Sequence, residues 1–409
     1  MTFLLSAQNV FDYLVRQGLC TQEEQALSKI ERKPGKNFNL LLSLPDDRQI
    51  LIKQEPHREG KSAGGFLKEW RVQEFLQLSP LNYIRPYLPE VLHFDESNSI
   101  IVFNYLKDYQ DLINFYTQEN DYPTAIATAI GTVLATIHRV TLDRQDYRDF
   151  FSLDAKGLAV NRTAALSHDL KRISPEVFGV VPADGFKFFA LYQRYDSLGQ
   201  AIEELGTAVE PCCLTHNDLK LNNILLSVDW EQVVAQTERS SLVRSSHSQA
   251  EPGKERDRED GIVRLIDWEN SNWGDPAFDL GTIIASYLQI WLASLVTSKA
   301  IAIEESLRLA MTPLEELQPS ITALTRAYLA NFPQILERNP DFLQRVMQFS
   351  GLSLIFAIRA TLQHQKFFGN QGICMLQVAK TLLCRPEQSM LTVFGVPASA
   401  LTPFSFSPT

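Results

Sequence analysis

The chain has 409 residues, too many for one ordinary core and suited to two lobes or domains. Its formal net charge of -10 argues against a nucleic-acid or anionic-membrane partner, since either favours a basic face. The five cysteines (Cys20, Cys212, Cys213, Cys374 and Cys384) are odd in number and share no repeated spacing. They read as buried free thiols of a reducing cytosol rather than a disulfide framework or a zinc site.

The N-terminus, Met1 to Val10, opens on an apolar stretch with no basic segment before it and does not read as a signal peptide. The stretch nearest to transmembrane length, Leu280 to Val296, is interrupted by Thr282, Ser286, Gln289 and Ser294. It falls short of the roughly 20 apolar residues a span needs and is expected to be a helix buried in a large lobe. The expected location is cytoplasmic, with no membrane partner.

In chain order, Ala7 to Gln17 carries Val10, Phe11, Leu14 and Val15 at helical spacing. Asn39 to Ser43 and Gln49 to Gln54 are strand-like, with Pro45-Asp46-Asp47 as the turn between them. A helix follows over Gly65 to Leu78, then extended runs at Glu90 to Phe94 and Ser99 to Phe103. This succession describes a small α+β lobe. From about Asp108 the pattern turns helical, over Thr124 to Val140, Phe188 to Leu205, Leu280 to Val296, Pro313 to Leu329, Phe342 to Gln363 and Gly372 to Leu383. One hairpin interrupts it, formed by Asn223 to Ser227 and Ile262 to Ile266. The polar segment between those strands, Asp229 to Asp260, lacks the apolar content to order itself and is expected to be disordered.

Chemistry concentrates around that hairpin. Thr215-His216-Asn217-Asp218-Leu219-Lys220-Leu221-Asn222-Asn223 gives a His-x-Asp, with an Asn five residues after the Asp, on a loop feeding the first strand. Leu265-Ile266-Asp267 places an acid at the end of the second. Pairing the strands brings Asp218, Asn223 and Asp267 to one end. Two carboxylates and an amide oxygen suit phosphoryl transfer, where one carboxylate orients and deprotonates a hydroxyl and hard oxygen donors hold Mg²⁺.

On these residues the chain resembles the aminoglycoside phosphotransferase and choline kinase family of small-molecule phosphotransferases. His216-x-Asp218 with Asn223 matches the family's catalytic-loop motif, and Asp267 matches its metal-binding acid. Gly274-Asp275-Pro276-Ala277-Phe278-Asp279-Leu280-Gly281 matches the stretch that follows. The resemblance implies a two-lobed protein-kinase-like α+β fold, with a small antiparallel-sheet lobe over 1–103, a hinge at 104–108 and a large helical lobe over 109–409. It implies ATP and Mg²⁺ as cofactors, Asp218 as catalytic base, Asn223 and Asp267 as metal ligands, and His216 and Asp279 as supports of the loop.

It also implies that Lys53, ending the apolar run Ile50-Leu51-Ile52, contacts the nucleotide's α/β-phosphates. Its partner is expected to be Glu69, with Glu74 as the alternative; Val72 and Leu76 follow Glu69 along one helical face. Gly35-Lys36-Asn37-Phe38-Asn39 occupies the place of the phosphate-covering loop, and Phe103-Asn104-Tyr105-Leu106 that of the hinge offering backbone groups to adenine. Lys220 either neutralises the transferred phosphate or is simply exposed. Trp268, Trp273, Tyr287 and Trp291 are expected to pack the core rather than line an acceptor pocket.

The partner implied is a small-molecule hydroxyl acceptor. The oligomeric state and the acceptor's identity are not readable. A protein kinase fits less well, because Asp275-Pro276 follows Asp267 with no long activation segment or Ala-Pro-Glu. A catalytically silent kinase-like scaffold is the other alternative, with the sparse glycine loop as its one supporting feature.

Overall fold

A computed structural model describes residues 3–56, 64–77, 81–152, 183–245, 261–296, 301 and 303–402. The chain divides into two compact units, 1–118 with 222–271, and 119–221 with 272–409. In chain order the elements begin with α1 (Val10–Arg16), β1 (Lys29–Lys33), β2 (Phe38–Ser43), β3 (Gln49–Gln54), α2 (Gly65–Leu76), β4 (Val91–Asp95), β5 (Ile100–Asn104), β6 (Tyr109–Asp111) and α3 (Leu112–Glu119). Then come α4 (Thr124–Thr141), α5 (Gln145–Ser152), α6 (Ala183–Tyr192), α7 (Asp196–Thr207) and β7 (Cys213–Thr215). Strands β8 (Ile224–Ser227) and β9 (Val263–Leu265) flank α8 (Trp230–Ser245). The chain continues through β10 (Asn272–Gly274), α9 (Pro276–Ala293), α10 (Ile303–Arg308), α11 (Leu314–Asn331), α12 (Gln334–Arg338), α13 (Phe342–Gln365), α14 (Asn370–Cys384) and α15 (Pro386–Phe394).

The first unit is built on an antiparallel sheet of order β1-β2-β3-β5-β4. Alternation along β3 decides what each face sees. Ile50 and Ile52 point to one side and pack with Val10, Phe11 and Leu14 of α1. Leu51 points to the other and packs with Phe66 of α2 and Phe103 of β5. With a side-chain period of two, Lys53 shares the face of Leu51, the face that α2 covers. Strands β6, β8 and β9 form a second small antiparallel sheet in the same unit.

The second unit is helical apart from the β7–β10 pair, whose register sets Trp273 opposite Leu214. Helices α4 and α11 approach closely at Gly131, where an added Cβ would lie 2.2 Å from the Leu324 carbonyl oxygen. Helix α9 is buried along most of its length, with Asp275 capping its first turn by accepting from the Ala277 N–H at 3.0 Å. Arg345 on α13 closes a buried ion pair on that same Asp275. Among the described residues no single helix is long and apolar enough to cross a membrane.

The α+β architecture expected from the sequence is present, with a small antiparallel-sheet region and a mostly helical remainder. Two expectations need correction, and one strand is additional. The segment expected to be disordered opens instead as α8, because Trp230 anchors it edge-on to Phe115, ring centroids 6.1 Å apart. Residues 246–260, the rest of that segment, and Leu78 lie outside the described residues. The single helix expected from Phe188 to Leu205 is two, since Tyr195 leaves helical geometry and Asp196 starts a new first turn. Strand β1 was not anticipated; Lys29-Ile30-Glu31-Arg32-Lys33 is an edge strand with a charged, exposed pattern.

Candidate active site

In the first unit the Lys53 ammonium lies 3.2 Å from Asp267 Oδ1, joining positions 214 residues apart. It also sits over the Phe103 ring, 5.2 Å from the centroid. Burial lowers the lysine pKa, but Glu69, Asp267 and Glu269 outweigh it and the net shift is upward. Glu69 is on the buried face of α2 with Phe66, Val72 and Gln73. Its alternative, Glu74, is partly exposed and 3.8 Å from Arg71. Glu69 is the α2 acid whose charge acts on Lys53.

The ion pair, however, joins Lys53 to Asp267 and not to Glu69. Neither Glu69 carboxylate oxygen has a hydrogen-bond partner among the described residues. Burial pushes its pKa up to about 7, Lys53 opposes this, and Asp267 and Glu269 add to it. The Trp268 backbone N–H acts in the lowering direction.

Asn223 and Asp267 are brought together by the hairpin. Ile224 pairs with Leu265, and the Ile266 N–H donates to the Asn223 carbonyl at 2.9 Å. Asp267 then turns into the left-handed region, φ 69°, which Asp tolerates better than most residues and which ends the strand. An amide oxygen and a carboxylate are hard donors of the kind Mg²⁺ accepts. No group of three or more His, Cys, Asp or Glu that could hold a metal is present among the described residues. Mg²⁺ carried with nucleotide needs only one or two protein ligands, so this donor set fits it.

The loop before β2 is braced rather than open. Lys36 Nζ lies 2.8 Å from Glu269 Oε1, and Asn37 Nδ2 lies 3.4 Å from Oε2. The Asn39 amide donates to the Pro34 carbonyl at 3.3 Å, tying the loop to its own strand. Phe103 is enclosed in the sheet between Leu51 and Val91. The Tyr105 N–H donates to the Gln49 carbonyl at 2.8 Å, where the chain leaves β5 alongside β3.

In the second unit, Asp279 is fully buried and holds the backbone of the loop that carries Asp218. Oδ2 accepts from the His216 N–H at 2.7 Å and Oδ1 from the Asn217 N–H at 2.8 Å. Behind it, His138 Nε2 lies 3.3 Å from Oδ2, and His138 Nδ1 lies 2.9 Å from the Tyr328 hydroxyl. If Tyr328 donates to Nδ1, Nε2–H is left to donate to the acid, giving one chain of donors running to Asp279. His216 Nδ1 accepts from the Asp218 N–H at 3.3 Å. Asn217 takes the left-handed conformation, φ 62°, where Asn is favoured. Asp218 Oδ1 pairs with Lys220 Nζ at 2.8 Å, so Lys220 is a counter-ion of the acid rather than merely exposed.

Sequence reasoning missed three contributors. Glu55 accepts from the backbone N–H groups of Gly64, Gly65 and Phe66 at 3.2, 2.8 and 3.2 Å, fixing the N-terminus of the helix that carries Glu69. Its only signal was an acid two positions past Lys53. His138 and Tyr328 gave none, being apolar-face residues of helices far from the motif. The aromatic side chains behaved as expected: Trp268, Trp273, Tyr287 and Trp291 are all buried.

The model of the choline/ethanolamine kinase family matches residues 116–291. That span contains Asp218, Asn223, Asp267 and Asp279, so the resemblance drawn from those motifs is met by an independent match. Lys53 and Glu69 precede the choline/ethanolamine kinase span. No curated protein matches the chain. Solved structures with some similarity include a choline/ethanolamine kinase family protein from Mesorhizobium loti, at 14% identity over 95% of this chain and 99% of that one, TM-score 0.46. The choline kinase LicA from Streptococcus pneumoniae is 15% identical over 91% and 99%, TM-score 0.40. An ADP-bound aminoglycoside phosphotransferase is 14% identical over 93% and 99%, TM-score 0.45.

Proposed function

We propose that this chain is an ATP- and Mg²⁺-dependent phosphotransferase that moves the γ-phosphate to a hydroxyl of a small molecule, such as an amino alcohol, a sugar or an antibiotic-like compound. The observation that carries this is the Lys53–Asp267 pair at 3.2 Å, with Asn223 bonded through its carbonyl to the residue preceding Asp267. A phosphate-binding lysine, a hard-oxygen pair and a facing buried acid form one group in the first unit. The match to choline/ethanolamine kinases over 116–291 supports the same chemistry.

In this mechanism Lys53 steadies the α/β-phosphates and Glu69 keeps its ammonium oriented. Asn223 and Asp267 would hold Mg²⁺, which supplies charge neutralisation on the phosphate oxygens when bound. Asp218 accepts the proton of the acceptor hydroxyl as that oxygen attacks phosphorus and the β-phosphate oxygen leaves. Asp279, bonded to two consecutive loop N–H groups, fixes the backbone from which Asp218 projects. Preorganisation of this kind is where much of the rate enhancement in phosphoryl transfer arises.

The test is Mg²⁺-dependent ADP release from ATP, for wild type and Asp218→Ala, across small alcohols, amino alcohols, sugars and aminoglycosides. Stimulation by one acceptor class, lost in Asp218→Ala, is the expected result and names the acceptor. Failure to bind Mg²⁺-ATP at all would overturn the assignment. Nucleotide binding without acceptor-stimulated release from any member of the panel would favour a catalytically silent scaffold.

A further inference from the structure

The loop Pro34-Gly35-Lys36-Asn37 has a single glycine and begins with a residue that has no N–H. With Pro34 at its start and one glycine, it offers fewer backbone donors than a glycine-rich loop that covers phosphate. Two features show what it has instead. Gly35 is needed for the turn itself, at φ 155°, where an added Cβ would lie 2.5 Å from Asn39 Nδ2. The next residue, Lys36, is 70% exposed yet reaches a carboxylate that is only 8% exposed, Glu269 Oε1, at 2.8 Å.

Glu269 lies two residues after Asp267, whose carboxylate holds Lys53. The β2–β3 register sets Asn39 opposite Lys53, so the loop leaves the sheet at the end where Lys53 projects. Both lysines therefore rest on acids of a single short turn, in the unit that also carries Glu69 and Asn223. Two ammonium groups on flexible stems, each neutralised by a carboxylate of one turn, are a counter-ion arrangement for which a polyphosphate competes directly. Its oxygens form charge-assisted bonds to lysine as a carboxylate does, and more of them.

We propose that Lys36 is a second polyphosphate-binding residue, adding its side chain to the few backbone donors of this loop, and that Glu269 is its counter-ion in the nucleotide-free protein. The assignment rests on the phosphotransferase reading and extends it to the β- and γ-phosphates. It also removes the objection that a loop with one glycine is unfit for nucleotide. Asn37, on the same carboxylate, helps hold the loop down while no nucleotide is present.

The experiment is calorimetric titration of the full chain with Mg²⁺-ATP and, separately, AMP, for wild type, Lys36→Met and Lys36→Arg. Loss of one charge-assisted contact is expected to weaken Mg²⁺-ATP about tenfold in Lys36→Met, with AMP within about twofold and most of the loss recovered in Lys36→Arg. Unchanged Mg²⁺-ATP affinity in Lys36→Met, or equal weakening of ATP and AMP, overturns the proposal and leaves Lys36 as a brace of the loop. A wild type that binds AMP and Mg²⁺-ATP equally also overturns it, because no phosphate beyond the first is then gripped. If wild type binds neither nucleotide, the phosphotransferase reading fails and this one falls with it. If wild type binds Mg²⁺-ATP and Lys36→Met binds it as well, only the role of Lys36 fails.

Discussion

Replacing Asp279 by Asn isolates what holds the catalytic loop. The carboxylate is fully buried and accepts from the N–H groups of His216 and Asn217 at 2.7 and 2.8 Å, with His138 at 3.3 Å. An amide of the same shape keeps one acceptor oxygen and puts an NH₂ where the other stood. One backbone N–H is then left facing a donor in a fully buried site. The penalty for an unpaired buried donor is about 1–3 kcal/mol, with loss of the charge on the remaining bond in the same direction. At a central value of about 2 kcal/mol, local opening of the loop becomes roughly 30-fold more frequent. Amide hydrogen exchange over the peptide that contains His216 and Asn217 reads this directly, with peptides of α13 as the internal reference. Faster exchange at those two amides with little change in α13 is expected in Asp279→Asn. Exchange at His216 and Asn217 indistinguishable from wild type would refute the view that this carboxylate holds the loop. Asp279→Ala orphans both donors and is expected to cost about twice as much.

Two further outcomes follow from single residues. Glu69 has its folded pKa raised from 4.5 to about 7 by burial, so the folded state binds its proton more tightly than the unfolded chain does. Stability contributed by this group is fully present below about pH 4.5 and is lost as pH rises to about 7. The stability of wild type relative to Glu69→Gln, from urea unfolding between pH 4.5 and 8, should therefore fall by up to about 3 kcal/mol, and a pH-independent difference would sink the assignment. Gly131→Ala places a Cβ 2.2 Å from the Leu324 carbonyl oxygen, forcing α4 and α11 apart. A loss of about 1–3 kcal/mol is expected by chemical denaturation, and a gain from the better helix propensity of Ala would show that the helices yield without strain.

What the sequence determined by itself was local and periodic. The apolar run within Gln49 to Gln54 located β3. The spacing of Val72 and Leu76 from Glu69 singled out Glu69 on α2, and the hairpin signals drew Asn223 and Asp267 together. These patterns are legible because burial imposes them on residues a few positions apart. Elements without an apolar rhythm escaped: the charged edge strand β1, and α8, whose Trp230 packs against Phe115. Only the tertiary structure decided the partners. That Lys53 rests on Asp267 rather than Glu69, that Tyr105 gives its N–H to Gln49, that Glu55 caps α2, and that His138 and Tyr328 stand behind Asp279 are choices among donors and acceptors up to 214 positions apart. No local pattern encodes them, because a hydrogen bond is settled within a few tenths of an ångström by how whole elements pack, and the residues concerned look alike in the sequence whichever partner they take.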